Sequence, residues 1–491
     1  MSTPARQEPR TEPGIRPGTG PGTGPDAGPE DGPEDGPEAG SRYQAGSGSG
    51  SGRSPVPSTA PRLGPAARRR YANLVLRWLL LAVAVVAVLN AGLRVEVGAG
   101  VTTGHVLGLA LLPLWMATAA RYRHVPALLL LTAAAVLTGV WLTAASAGAY
   151  EVSASMTVQN AALLAGIVTG AGLILWLRPV LSEWQIGLVY GLGLLAEATT
   201  IPGLDNPWKY QWGMPLAVLA LAAVQALNSR LAGVLTLLAF VVASALQDSR
   251  SLTGMFLVAA LVLALQALPL PRRLRHLGAG RVVLLVGVLG LAAYELFTRL
   301  ALSGVLGLST QLRTQEQALR AGSVLLGGRP EMGATAGLFL HRPEGFGAGT
   351  VLNPEGIAAA QQAMGRLNYD PDNGYVYNYM FGRSLEVHSG LGDLWAMFGL
   401  PGLVLGLLLV WALVDALARR FSTRSLTPLQ GAALLFTLWT MFFGPLYTVA
   451  PILSLCLGLM LVPRGEVRFL GLRRPGLPTP PEAPEPKAAR R

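Results

Sequence analysis

Apolar residues in this chain come in runs of about 18 to 22, the length of helix that carries a backbone across a ~30 Å hydrocarbon core. The runs fall at 73–92, 101–119, 125–147, 158–177, 184–202, 213–228, 231–247, 252–270, 281–300, 391–414, 428–444 and 446–462. They predict an all-α fold, a polytopic transmembrane helical bundle of about twelve spans. Between the ninth and tenth runs the pattern is interrupted once at length, over residues 301–390. The chain thus divides into a Gly/Pro/Ser-rich tail (1–66), spans one to nine (67–300), a long polar loop (301–390), spans ten to twelve (391–464) and a basic, Pro-rich tail (465–491). The first tail, with its pieces PGTGPGTGP and DGPEDGPEAG, lacks the apolar surface needed to order itself. A cleaved signal peptide is not expected, because the first apolar run starts only near Leu74.

Composition agrees with the pattern: 51% of the residues are hydrophobic and only 13% charged, which excludes ordinary soluble domains. A net charge of +11 invites a nucleic-acid reading. The basic residues, however, sit in the short connections between apolar runs, where they set topology. Arg68–Arg70, Arg121, Arg123, Arg178, Arg230, Arg272, Arg273, Arg275, Arg419, Arg420, Arg424 and Arg464 all fall on one side of the alternating spans. The positive-inside rule makes that side cytoplasmic. Both termini are then cytoplasmic in an inner (plasma) membrane, the 301–390 loop faces outward, and no nucleic-acid partner is expected. The single cysteine, Cys456, lies within an apolar run and excludes an intrachain disulfide.

Three outward turns hold a basic residue against the rule, each near a carboxylate: Arg94 with Glu96, Lys209 with Asp205, and Arg250 with Asp248. Arg250 reads either as a snorkelling arginine paired with Asp248 or as an anion contact. The turn at 203–213, with Trp208, Tyr210 and Trp212, reads as an interfacial aromatic belt or a sugar-stacking surface. The basic residues of the long loop are Arg313, Arg320, Arg329, Arg342, Arg366 and Arg383, with no lysine. A planar guanidinium grips a phosphate with two donors where an ammonium offers a point charge; Lys is also scarce throughout the chain. Of five histidines, His341 and His388 lie in the loop, and His388 stands just before the tenth span. There it is either a polar residue opening a helix or a base able to take a proton at neutral pH. Asp370-Pro371-Asp372 runs into Asn373-Gly374 and reads as a turn before it reads as a cation contact. No Gly-Lys-Ser/Thr phosphate loop and no Gly-x-Ser-x-Gly elbow is present.

Over residues 200–415 the order of these features resembles the O-antigen ligase and polymerase family. GRPEMGATAGLFLHRPEGFGAG, from Gly328, is similar to the family's arginine followed by a short helix, a Pro and a Gly-x-Gly turn. VHSGLGDLWAMFGLPGLVLGLLLV resembles its histidine followed by a helix with Gly at plus eleven and plus fourteen, here Gly399 and Gly402. Ser249-Arg250 resembles its Ser-Arg pair. Ser389 stands where the family often has Asn, and Met397 where it often has an acidic residue; Asp393, one turn earlier, is the available carboxylate. The resemblance implies a GT-C-like membrane glycosyltransferase that works without metal or other cofactor. It implies His388 and Arg329 as catalytic residues, with Arg250, Arg320, Arg342 and Asp393 in substrate binding. The partners it implies are a polyprenyl-diphosphate-linked glycan, an acceptor glycan, lipid or protein, and the membrane lipids. Ligase and polymerase share these motifs. A transporter is the reading from another class, but it calls for paired interrupted spans around a midplane site, and no convincing pair is visible.

Overall fold

The computed structural model describes residues 65–201, 206–268, 279–322, 324–382 and 384–465. Most of both tails, together with Asp205, Arg272, Arg273, Arg275, His276 and Arg383, lies outside the described residues. The helices in chain order are α1 (Pro65–Leu93), α2 (Thr103–Ala110), α3 (Leu112–Ala119), α4 (Val125–Ser146), α5 (Ala154–Leu177), α6 (Glu183–Thr200), α7 (Gly213–Ala226), α8 (Arg230–Leu246) and α9 (Arg250–Ala267). After them come α10 (Ala279–Leu302), α11 (Leu308–Ala321), α12 (Val324–Gly327), α13 (Glu331–His341), α14 (Pro354–Gly365), α15 (Gly390–Ser422), α16 (Pro428–Phe443) and α17 (Leu446–Met460). Two π-turns, Trp208–Trp212 and Tyr375–Met380, interrupt the series. Among the described residues six helices are long and apolar enough to cross a membrane: Ala72–Leu93, Val125–Ser146, Ala154–Leu177, Arg250–Ala267, Gly280–Leu302 and Gly390–Ser422. Arg230–Leu246, Pro428–Phe443 and Leu446–Met460 are apolar but shorter. The chain is thus mostly helical and consistent with an all-α membrane protein.

Three elements differ from the sequence expectation. The run at 101–119 is not one helix but two, broken at Leu111. Pro113 has no N–H to offer and crowds the preceding turn, and the Trp115 indole instead donates to the carbonyl of Gly108 at 2.7 Å. The tenth run extends to 33 residues, with Gly399 at φ 66°, ψ −157° dividing it. The long loop is an ordered helical insertion with a core of its own, in which Ala334, Leu338, Ala360, Met364, Val376, Met380 and Trp395 are buried. Its helices α13 and α14 approach closely because Gly333 and Gly337 face Ala359 and Ala363; a Cβ on Gly337 would stand 2.6 Å from the Ala359 carbonyl.

The insertion is bound to the bundle by backbone. The segment Glu344–Gly349 threads between α4, α5 and α15, where the amides of Phe346 and Gly347 donate to the Ala396 carbonyl at 2.8 and 3.1 Å. Ser146 Oγ donates to Phe346 O and Asn160 Nδ2 to Ala348 O. Gly345 (φ 94°) rests on the Gly399 kink, where a Cβ would meet the Gly399 Cα at 3.0 Å. The two glycine motifs, some fifty residues apart in sequence, therefore pack against each other. Strand β4 (Thr350–Val351) completes the attachment by pairing with β3 (Glu151–Val152); a second small pair, β1 (Glu96–Gly98) with β2 (Val101–Thr102), joins α1 to α2.

At the end of the bundle away from the insertion, the arginines assigned to the cytoplasmic side converge. Arg178 Nη1 donates to the carbonyls of Gly458 and Leu461, and Arg420 to those of Leu459 and Met460. Glu183 pairs with both guanidinium groups and accepts from Gln430 at 2.7 Å. The last carbonyls of a helix have no partner within it, and these side chains supply partners to the end of α17.

Candidate active site

His388 and Arg329 come together at the insertion end, around the turn that joins α16 to α17. His388 has left-handed backbone (φ 53°), a conformation in which His is enriched, and its neighbours on both sides are pinned. Asp393, 1% exposed, accepts the Val387 amide on one oxygen at 2.9 Å and the Leu446 amide on the other at 2.7 Å. Ser389 caps α15 by accepting the Gly392 amide at 3.2 Å, and donates to the Met441 carbonyl at 3.3 Å. Arg329 donates from Nη1 to the carbonyl of Phe443 at 2.9 Å, and its guanidinium lies 5.5 Å from the Trp439 ring centre and 5.8 Å from that of Phe443. Both residues are thus held on Met441–Leu446, the end of α16 and its turn into α17.

Tyr375 joins them more directly. Its ring packs on the His388 imidazole, centres 5.4 Å apart, and its hydroxyl donates to Glu331 at 2.5 Å, two residues along from Arg329. Burial, reinforced by the Glu331 carboxylate, raises the Tyr375 hydroxyl well above its ordinary range, so it stays a donor. Among the described residues the second Glu331 oxygen is enclosed without a hydrogen-bond partner. The tautomer of His388 follows from its remaining contact. Nδ1 stands 3.3 Å from the Glu386 carbonyl, which only accepts. Nδ1 therefore carries the proton in the neutral ring and Nε2 has the free lone pair. Burial raises the Glu386 carboxyl, against the opposing pull of its Ser384 hydrogen bond and of His388.

The remaining expected residues are distributed unevenly. Arg250 reaches α11: its Nη1 contacts Thr314 Oγ1 at 3.4 Å and Gln317 Oε1 at 3.3 Å, and among the described residues Nη2 is enclosed with no hydrogen-bond partner. The Gln317 amide in turn lies against Gly328, where a Cβ would stand 3.1 Å from it. The Asp248 carboxylate is 3.9 Å from Arg250 and pairs better with Arg313, at 3.2 Å. Arg320 bonds Glu316 and lies over the Tyr369 ring. Arg342 is at the opposite end of α13, roughly 15 Å from Glu331 by helix rise. There it pairs with Glu344 and packs on Tyr150 and Phe346, apart from Arg329 and His388. Asp393 is a buried tie for the histidine turn rather than a group facing a cavity. Arg94 pairs with Glu197 at 3.2 Å and not with Glu96, which accepts the Gly100 amide. Asp370 accepts the Asp372 amide, as in a turn. Trp208 donates to Ser244 and stacks on Phe240, while Tyr210 stays exposed.

No family model, curated protein or solved structure matches the chain. The functional reading stands on motif order and this geometry. Sequence reasoning passed over Tyr375, Glu331, Glu386 and Trp439; the run YVYNYM at 375–380 was the visible signal for the first of them.

Proposed function

We propose that this chain is a membrane glycosyltransferase of the O-antigen ligase type. It crosses the inner (plasma) membrane about twelve times with both termini cytoplasmic, and transfers glycan from a polyprenyl diphosphate to an acceptor hydroxyl on the outer side. The observation that carries the reading is the meeting of Arg329 and His388, 59 positions apart by their numbers, around Tyr375 at one end of an apolar bundle. The grouping of Arg178, Arg420 and their neighbours at the other end supports the orientation.

The reaction needs a base and a place for leaving-group charge. As the acceptor oxygen attacks the anomeric carbon, its proton passes to Nε2 of His388, the ring nitrogen left free by the Nδ1 contact. The bond from the anomeric carbon to the diphosphate oxygen breaks, and that oxygen leaves with the electron pair. Arg329, together with Arg250, stabilises the growing negative charge. A site at the mouth of the bundle lets the polyprenyl chain stay in lipid while the glycan stands among the insertion's helices.

The test is replacement of Arg329 and of His388 by Ala, followed by analysis of lipid-linked glycans. The reading predicts normal insertion and loss of transfer in both; normal transfer in both would sink it. Accumulation of long lipid-linked polymer identifies a ligase. Accumulation of single lipid-linked repeat units identifies a polymerase using the same site.

A further inference from the structure

Helix α11 is turned inside out. Its buried positions are Thr310 and Thr314, with Gln317 partly covered, whereas Leu308, Leu312 and Leu319 are 68%, 56% and 86% exposed. At 100° per residue the three leucines fall within about 40° of one another, and Thr310 and Gln317 lie on the opposite side. A helix in water would bury the leucines and expose the threonines. The polar side is committed inward: Thr314 and Gln317 accept from Arg250, and Arg313 pairs with Asp248.

The placement of α11 says what covers the leucines. Two left-handed glycines, Gly304 (φ 80°) and Gly307 (φ 98°), turn the chain back after α10, and Gln311 Nε2 caps the Leu302 carbonyl at 2.8 Å. The helix then passes the start of α9 at Arg313, Thr314 and Gln317, and reaches Asn368, whose amide donates to the Arg320 carbonyl. It therefore lies across successive helix ends at the mouth of the bundle. Its leucine stripe, extended by Val305 at 74% exposure, follows in the chain directly on α10, whose Leu284, Val288 and Leu291 are likewise 67%, 56% and 71% exposed. Charged residues Arg313, Glu316 and Arg320 border the stripe on one side. Leucines on one face and charges at the rim are the composition of a helix lying in the headgroup and acyl boundary.

We infer that α11 lies on the membrane surface with Leu308, Leu312 and Leu319 in the outer lipid boundary, its polar face forming the wall of the candidate site that carries Arg250's partners. This rests on the reading that the apolar helices cross a bilayer. It adds a lipid contact to the catalytic insertion itself, so that the lipid surface sets the height at which Thr314 and Gln317 meet Arg250.

The test is spin labelling of single cysteines introduced in the full chain, reconstituted in vesicles of phosphatidylethanolamine and phosphatidylglycerol. Native Cys456 is buried and leaves the labelling clean. Accessibility to oxygen, which concentrates in lipid, is compared with accessibility to a water-soluble nickel chelate. The inference predicts an oxygen-to-nickel ratio several-fold higher at Leu312→Cys and Leu319→Cys than at Arg313→Cys and Glu316→Cys. Nickel access at all four positions overturns it. Shielding of the leucine positions from both reagents overturns it too, in favour of a protein partner or a second copy. Leu130→Cys and Leu137→Cys on α4, each 71% exposed, separate the two levels of argument: oxygen-rich signals there with a wet stripe refute only the α11 assignment. Wet signals at every position refute the membrane-spanning reading as well. None of these outcomes depends on transfer activity, so a failure of the glycosyltransferase reading is seen separately.

Discussion

Arg178 and Arg420, at the end of the bundle away from the insertion, and Arg250 and Arg329, at the insertion end, are all largely enclosed but differently matched. The first pair shares one carboxylate, Glu183, and donates to four carbonyls at the end of α17. Among the described residues Arg250 has a carboxylate at 3.9 Å, two weak contacts with α11 and one enclosed nitrogen without a hydrogen-bond partner. Arg329 meets the Phe443 carbonyl and two aromatic faces. An enclosed charge costs free energy unless it is paired and hydrogen-bonded. At one end that cost is offset by protein groups; at the other the pairing among the described residues is sparser, which agrees with the proposed function, where a diphosphate would bring the counter-charge. On the proposed function, the contrast separates arginines that hold the fold from arginines held ready by it.

The sharpest way to break that contrast is to remove one arginine from each end. His388→Ala and Arg329→Ala should each lower the proposed transfer roughly a hundred-fold or more, while shifting stability by no more than about 1 kcal/mol. Transfer assays paired with thermal unfolding in detergent check both halves. Arg420→Met should do the reverse. It removes one of the two guanidinium partners of Glu183, which keeps Arg178 and Gln430, and withdraws charged donors from the Leu459 and Met460 carbonyls, so a loss of about 3 kcal/mol is expected, seen as a lowered unfolding midpoint and folded yield. Equal stability losses at the two ends would erase the distinction.

How much of this was legible beforehand follows the range of the interactions involved. Apolar runs and basic connections are local, and the helices lie close to where hydropathy places them. The exceptions have local causes that hydropathy averages away: Pro113 splits one run, and Gly399 kinks another that extends past its expected end. The insertion reads as a polar loop in the sequence because α13 and α14 are rich in Gly and Ala, whose packing depends on Gly333 and Gly337 meeting Ala359 and Ala363. Arg329 and His388 were found by motif order, but their meeting depends on the turn after Phe443, which no spacing reveals. Arg342 shows the limit from the other side. The arginine composition of the loop does not distinguish it from Arg329, and only the length of α13 separates them. Tyr375 and Glu331 matter through a contact across 44 positions, which a linear reading does not show.

Tyr375→Phe sharpens the insertion end at an intermediate scale. The ring remains to pack on His388, but the Glu331 carboxylate loses the hydrogen bond it accepts from Tyr375. A stability loss of about 1 to 2 kcal/mol is expected from the stranded acceptor, with transfer reduced about tenfold if the hydroxyl also orients the histidine. Glu331→Gln is the control. Its amide oxygen still accepts from Tyr375 and its charge is gone, so the stability loss should be smaller than for Tyr375→Phe. A larger loss would place the importance of this pair in the charge of Glu331, not in the hydrogen bond.

The smallest effect concerns Glu386, whose carbonyl fixes the His388 tautomer while its own side chain is raised from the usual 4.5 by burial. The folded protein holds the Glu386 proton at pH values where the unfolded chain has released it. Between the unfolded and folded values the folded state binds more protons, so stability contributed here is fully present below about pH 4.5 and declines as pH rises through the raised folded value. Glu386→Gln removes that titration and leaves the backbone carbonyl in place. Above pH 4.5 the variant should therefore lose less stability than the native chain as pH rises, a difference read from unfolding midpoints across the pH series. The group is partly open to solvent, so the difference should be well below that of Arg420→Met. Because the Nδ1 contact is made to backbone, His388 should keep its tautomer and transfer should survive. Loss of transfer in Glu386→Gln would mean that the carboxylate itself, and not the carbonyl beside it, prepares the histidine.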